Sequence, residues 1–439
     1  MKARQPRSGD DSGVAIITVL MVGVLLSILA TSAVSISTGN LKNAGRDRVA
    51  GGALGAAEAG LAQAVNHMRG ASLACLSLAA TCVTPDPWAT GSGQAVTLPD
   101  GRTAMVKISV VQVLKLPAIR TGRFLVTSTG RAGTGPGLRV VTQQVTMKPL
   151  DFPLSVYANQ IQLTGTPTTF QQSVLSKNCI GGREKMNFTD PATGANSIDA
   201  AYGIPAAAHS EDVIYEKSCP GAAKNRIHNL STCNAQYRYD QDKLGGPKPD
   251  GTGTLSTTCK GAGTSYPQTS FFGPGDLEKF GATDITPLLP ALKAQAVSLG
   301  QYWTSPSGWT APNPAQDPHV VMYFKIGKDE TLKLQNELDG YLYDCSAPKS
   351  VVIIVENETV GSGGVHINSN ADLGGAVFVP RGNFQYNGGA SFTGPIIANT
   401  IDKWNGTASS QLTQCFLDNF PPGLLDLGIE DYHEVDTTS

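Results

Sequence analysis

Between Val14 and Leu41 the chain carries no charged residue, and the stretch opens with VAIITVLMVGVLLSILA. About 20 such residues cross a bilayer as a helix, because a lipid interior leaves backbone N–H and C=O groups no partner outside the segment itself. Lys2, Arg4 and Arg7 precede the run. The positive-inside bias then keeps the first dozen residues in the cytoplasm and sends the large remainder outward. A secretory signal peptide is the competing reading, with Ala30-Thr31-Ser32-Ala33 as its small-residue cleavage site.

The cysteines agree with export. All eight, Cys75, Cys82, Cys179, Cys219, Cys233, Cys259, Cys345 and Cys415, lie beyond the apolar run, and none forms a CxxC pair. That distribution suits disulfides made in an oxidising compartment better than a metal site. Spacing leaves the connectivity open, with Cys75–Cys82 and Cys345–Cys415 as the natural guesses.

Helical patterning continues past the membrane-length stretch. Leu54, Ala57, Leu61, Ala64 and Met68 fall at alternating spacings of three and four, a seam on one face. Residues 14–69 therefore read as one helix on the order of 80 Å long, far more than a bilayer needs. Its outer half must pack on something. Glycines at 39, 45, 51, 52, 55 and 60 each weaken a helix by roughly 0.5–1 kcal/mol but allow close helix approach, as bundled subunits require.

The basic leader, Gly13, the following VAIITVLMVGVLL and the phrase AAEAGLAQAV at 56–65 together resemble the start of PilX-type minor pilins. The same segment is similar to the K-type pseudopilin of type II secretion. The resemblance implies cleavage by prepilin peptidase between Gly13 and Val14, with Glu58 as the acidic residue of the AAEAGL phrase. It also implies partners among other pilins, the pilus assembly machinery and the inner membrane. Major pilins have Glu at the fifth mature position, where this chain has Thr18. A carboxylate in lipid is costly unless paired, so its absence suits a subunit with nothing above it, such as one at a filament tip.

Beyond the helix the text turns to strands. QAVTLPDGRTAMVKISVVQV at 94–113 has a Pro-Asp-Gly turn and alternating Ala104, Val106, Ile108 and Val110, a hairpin. RFLVTSTG at 123–130 and LRVVTQQVTM at 138–147 extend it to a meander of about four strands, which the helix's outer half would cover. Near the end, YNGGAS at 386–391 returns as WNGTAS at 404–409, and GAVFV at 375–379 as GPIIA at 394–398. A period near 20 with short apolar strands split by Gly and Asn is the signature of stacked β-solenoid rungs. NQIQLTGTPTTF at 159–170 and SVVIIVENETV at 350–360 suggest further rungs, interrupted by an insertion over about 180–340 that holds Cys219, Cys233 and Cys259.

Little in the chain points to catalysis. Nucleophile elbows, HExxH, Walker loops and dinucleotide fingerprints are missing from the text. With 33 Lys and Arg against 35 Asp and Glu, no overall field draws the chain to phosphate backbones, so general nucleic-acid binding is not expected. A solenoid enzyme acting on carbohydrate would need clustered carboxylates, and the visible rungs offer Asp372, Arg381 and scattered Asn. Asp240 and Asp242 in DQDKLG match a calcium loop only in part, since Leu244 stands where an oxygen ligand is required. Tyr302, Trp303 and Trp309, in the Pro-rich QYWTSPSGWTAP, form a candidate ligand-stacking loop for a sugar or protein target, though packing beneath the loop is the simpler account of them.

The expectation is an α+β chain with a leader at 1–13, a transmembrane pilin helix at 14–69 (anchor 14–41) and a small antiparallel pilin-like sheet at 70–150. A distal β-rich, solenoid-like domain follows at 151–425, then a frayed polar tail at 426–439. Such a chain acts as a non-enzymatic minor pilin in pilus assembly, tip display or adhesion, with no cofactor and no metal. A secretion pseudopilin and a membrane-anchored carbohydrate-active solenoid are the alternatives.

Overall fold

The computed structural model describes residues 11–79, 82, 84–116, 119–132, 137–182, 185–188, 208–211, 213–214, 218–219, 269–271, 275–343, 347–368, 372–389, 391–405 and 409–435. A single helix runs from Asp11 to Gly70. Its second half lies on an antiparallel sheet whose strands Gln94–Thr97, Thr103–Leu116, Ile119–Arg131 and Leu138–Pro149 follow one another in chain order. The alternation in the sequence explains the packing: Ala104, Val106 and Ile108 are buried with Phe124, Val126, Val141, Val145 and Met147 against the helix. Val110, the last residue in register before a bulge between Val110 and Gln112, is exposed.

The fifth strand of this sheet corrects the expected frayed tail. Leu425–Val435 pairs antiparallel with Leu138–Pro149, Leu425 opposite Pro149 and Val435 opposite Val140. The whole distal body is thus inserted between two neighbouring strands, and its two tethers touch through the Leu150 N–H to Leu424 C=O bond of 2.9 Å. Leu425, Leu427 and Ile429 alternate as a strand should. The acidic residues between them mask the signal, and acidic side chains are what an exposed edge strand carries to discourage further pairing.

The distal body is a large curled parallel sheet. Strands His319–Ile326, Ser350–Asn357, Leu373–Asn387, Ile396–Asn405, Val156–Gln162, Val174–Gly181 and Ala208–Ser210 lie side by side in that order, every pair parallel. The sequence repeat is this pairing: Tyr386 sits opposite Trp404, Asn387 opposite Asn405, and Val377 opposite Ile396. The chain leaves the stack at one end and re-enters at the other, so the early strand Val156–Gln162 extends the row begun by late ones. The expected insertion at 180–340 is too wide, since His319–Ile326 and Thr331–Leu334 both pair within the sheet. Their apolar run carries the reason: Val320, Met322 and Phe324 face one core, Val321 and Tyr323 the other. Parallel strands covered on both faces read as continuous apolar text.

The inner core holds a row of rings from successive strands. Phe188 and Phe170 lie 5.7 Å apart by centroid, Phe170 and Trp404 5.4 Å, and Trp404 and Tyr386 5.5 Å. The outer core is closed by the helix Leu289–Ser298 and the short helix Gln414–Asp418.

Two buried histidines tie this body's stability to pH. His209, against Phe280 and 3.2 Å from Ser173 Oγ, and His319, 2.9 Å from Ser350 Oγ, are each pushed down to about 4 by burial. Exposed in the unfolded chain they titrate near 6.5, so between about 6.5 and 4 the unfolded state binds more protons and stability falls as pH is lowered. The loss is at most roughly 3 kcal/mol per histidine. The midpoint of urea unfolding is expected to drop between pH 7 and pH 4.5, with a shallower drop in a His209→Gln/His319→Gln chain. Parallel pH curves for the two proteins would refute the assignment.

Candidate assembly surface

Among the described residues one helical span, Val19–Gly70, is long and apolar enough to cross a membrane, and no part of the protein covers its apolar window. Twelve large apolar side chains from Val19 to Leu41 are exposed, Leu41 by 72%. At about 2 kcal/mol each, leaving them in water would cost on the order of 20 kcal/mol or more, more than a domain's whole stability. Lipid or other helices must cover them. Gly13 and Val14 lie in the first turns of this helix.

The second half of the helix faces inward. Ala57, Leu61, Ala64 and Met68 are buried on the chain's own sheet and Leu54 is half-buried against it. The seam at 54–68 therefore serves internal packing on the sheet, whereas the glycines are the residues expected to meet neighbouring helices. The glycines divide the same way. A Cβ on Gly60 would overlap Ser128, Ala104 and Val106, and the Arg102 guanidinium lies over Gly55 and donates to Gly52 O at 3.0 Å. Gly39, Gly45 and Gly51 have open space around the Cβ position. At roughly 100° per residue these three point in different directions, so they do not make one stripe for a partner helix.

Glu58 is exposed on the flank of the helix and accepts from the Tyr432 hydroxyl at 3.1 Å, which joins the C-terminal strand to the AAEAGL phrase. Below it, the end of the helix is fastened by His67, which lies 2.7 Å from Asp86 and stacks on Trp88 at 4.8 Å. The Cys75–Cys82 disulfide closes the loop between them. Cys179 bonds Cys219, and Cys415 is disulfide-bonded; Cys233, Cys259 and Cys345 lie outside the described residues, as does the 240–245 loop.

The distal candidates are engaged in structure. Trp303 stacks on Phe324 at 4.8 Å and Trp309 meets the same ring edge-on at 5.8 Å, capping the inner core where the stack ends. Tyr302 packs on Tyr323 with the Lys293 ammonium 4.9 Å above its ring. The loop is a lid on the sheet, and the sequence signal for this was the flanking VVMYF run it covers. Asp372 accepts from the Ser391 N–H, Arg381 donates to Glu358 O, and His366 contacts Asn387 at 2.8 Å. No group of three His, Cys, Asp or Glu side chains with metal-binding geometry occurs among the described residues. A shallow cleft of about 220 Å³ runs past Tyr157, Asn159, Lys177 and Asp284, but its amides bond one another: Tyr157 donates to Asn159 and Asn159 to Asn399 at 3.0 Å.

No family model and no curated protein matches this chain. The structure is similar to the crystal structure of the competence-associated pilin ComZ from Thermus thermophilus, at 11% identity over 88% of this chain and 97% of that chain. The TM-score is 0.22, at which neither fold nor role transfers.

Proposed function

We propose that this chain is a membrane-anchored minor pilin, of the PilX type its N-terminus resembles, that displays a β-solenoid body outside the cytoplasm. The observation that carries the reading is the division of one 60-residue helix into an uncovered apolar half and a half seated on its own sheet. A plain anchor needs only the first. A helix that must leave the bilayer and join a filament needs a bare apolar half that other helices can cover in place of lipid. The parallel rows with offsets of 18 and 19 residues support the solenoid reading of the distal part, in which each rung buries its neighbour.

The bulk of the inserted body argues for a minor or tip position, because a regular filament has no room to repeat it at every subunit. Display or adhesion, with a surface glycan or protein as target, follows from that exposure. A non-enzymatic role is favoured by the structural employment of Asp372, Arg381 and His366.

Mass spectrometry of the membrane-extracted chain, with and without prepilin peptidase, tests the reading. Cleavage after Gly13, giving a Val14 start only when the peptidase is present, is expected. An intact Met1 in both samples, or a cut near Ala33, would exclude it.

A further inference from the structure

One corner of the curled sheet interrupts the pairing of four neighbouring strands at the same level. Asn399 lies between Ala398, opposite Ala158, and Thr400, opposite Gln160, so it meets Asn159, which donates to it at 3.0 Å. On one side, Val379 pairs with Ala398 and Asn383 with Thr400, which sets Pro380, Arg381 and Gly382 against Asn399. On the other, Ser176 pairs with Ala158 and Cys179 with Gln160, which sets Lys177 and Asn178 against Asn159. A polar row of Arg381, Asn399, Asn159 and Lys177 therefore crosses the strands at steps of about 4.8 Å. The cleft of about 220 Å³ lies on this row, and is lined by Lys177 from the row and by Asp284 from the turn at 283–286.

The polar groups around the cleft divide into those already engaged and those left over. Tyr157 donates to Asn159, and Asn399 donates to Thr400 Oγ1 at 3.3 Å, so the floor is rigid while each amide keeps a second N–H. Glu211, near the Tyr157 hydroxyl, accepts from the Gly275 and Leu277 N–H groups, and Arg381 is held by Glu358 O and by Glu356. Lys177 and Asp284 are exposed, and neither has an opposite charge within ion-pair distance among the described residues. The Thr286 hydroxyl and the Thr286 N–H, at 2.9 Å, hold the Asp284 carboxyl below the usual carboxylate range, so it serves the cleft as an acceptor. One anion and one cation beside amide donors give neither a polyanion nor a polycation an advantage, and suit hydroxyls, which both donate and accept. Ile397 and Ala398, in the lining, are themselves buried and offer no apolar anchor of the kind a protein partner needs. We infer that this cleft binds a neutral, extended oligosaccharide, whose hydroxyls donate to Asp284 and accept from Lys177 and from the second amide N–H groups of Asn159 and Asn399. The straight row across the strands admits an extended β-1,4-linked chain better than a coiled one.

This names a target class for the display reading above and rests on it for its use outside the cell, yet the two fail separately. Binding is measured by saturation-transfer NMR on the full-length chain in detergent, with cellohexaose, chitohexaose and hexagalacturonate as probes. Wild type is expected to transfer saturation to a neutral hexamer and not to hexagalacturonate. Asp284→Ala and Lys177→Ala should each weaken that binding about tenfold, the effect of one charge-assisted hydrogen bond. Lys107→Ala, on the helix-bound sheet, should change nothing. Lys177 is exposed, so Lys177→Ala reads the site even where Asp284→Ala disturbs the 283–286 turn. No transfer to either neutral hexamer, a preference for hexagalacturonate, or undiminished affinity in Lys177→Ala would overturn the site. Failure of cleavage after Gly13 would instead overturn the pilin reading and leave the binding results standing.

Discussion

Gly60→Val is expected to unfold the helix-bound sheet while Gly39→Val and Gly45→Val leave it intact, although all three replace a glycine in the same helix. The new side chain at residue 60 would have to occupy space held by Ser128, Ala104 and Val106, all buried and none able to swing aside as a flexible chain end can. Relief requires the helix to lift from the sheet, which strips cover from Phe124, Val126 and Val141. Overpacking of this kind costs about 3 kcal/mol or more, a large share of a small sheet's stability. Thermal unfolding of the detergent-solubilised chain and protease resistance of the 94–149 region report the difference. Equal midpoints for the variants at residues 60 and 39 would show that the seam does not hold the sheet as closely as its geometry requires.

Trp404→Ala should be the most damaging single truncation in the distal body, at about 3–5 kcal/mol. Its ring is fully buried and touches Phe170, Phe384 and Tyr386 on either side, so removal opens a cavity in the middle of the row rather than at its end. Trp303→Ala removes a ring of the same size from the lid, where water can fill the space, and should cost less than half as much. Trp404→Phe should be nearly neutral, because the indole Nε1–H is buried without an acceptor and its loss returns part of what the smaller ring gives up. Urea unfolding followed by circular dichroism ranks the three. A ranking with Trp303→Ala worst would place the keystone at the end of the stack instead of its centre.

Residues with a short-range pattern were legible in the text. The uncharged run to Leu41, the three-and-four spacing through Met68, the alternation at Ala104, Val106 and Ile108 and the near-repeats ending at Trp404 each encode a local period, and each stands in the structure as helix or strand. The strand Leu425–Val435 was not read, since its acidic residues look like a solvated tail until a partner edge is known. His319–Ile326 was hidden for a different reason: a run buried on both faces has no alternation to find.

The sequence by itself determined that a membrane-length helix leads a strand-rich body with near-repeated strands, because periodicity and charge follow from residues near one another along the chain. Tertiary structure decided that the body is inserted between two strands of one sheet, that Val156–Gln162 continues a row started more than 150 residues later, and that Gly60 is filled while Gly39 is open. Those outcomes depend on which distant surfaces meet. A local pattern specifies what each segment has to bury, and only the assembled fold selects the partner that buries it.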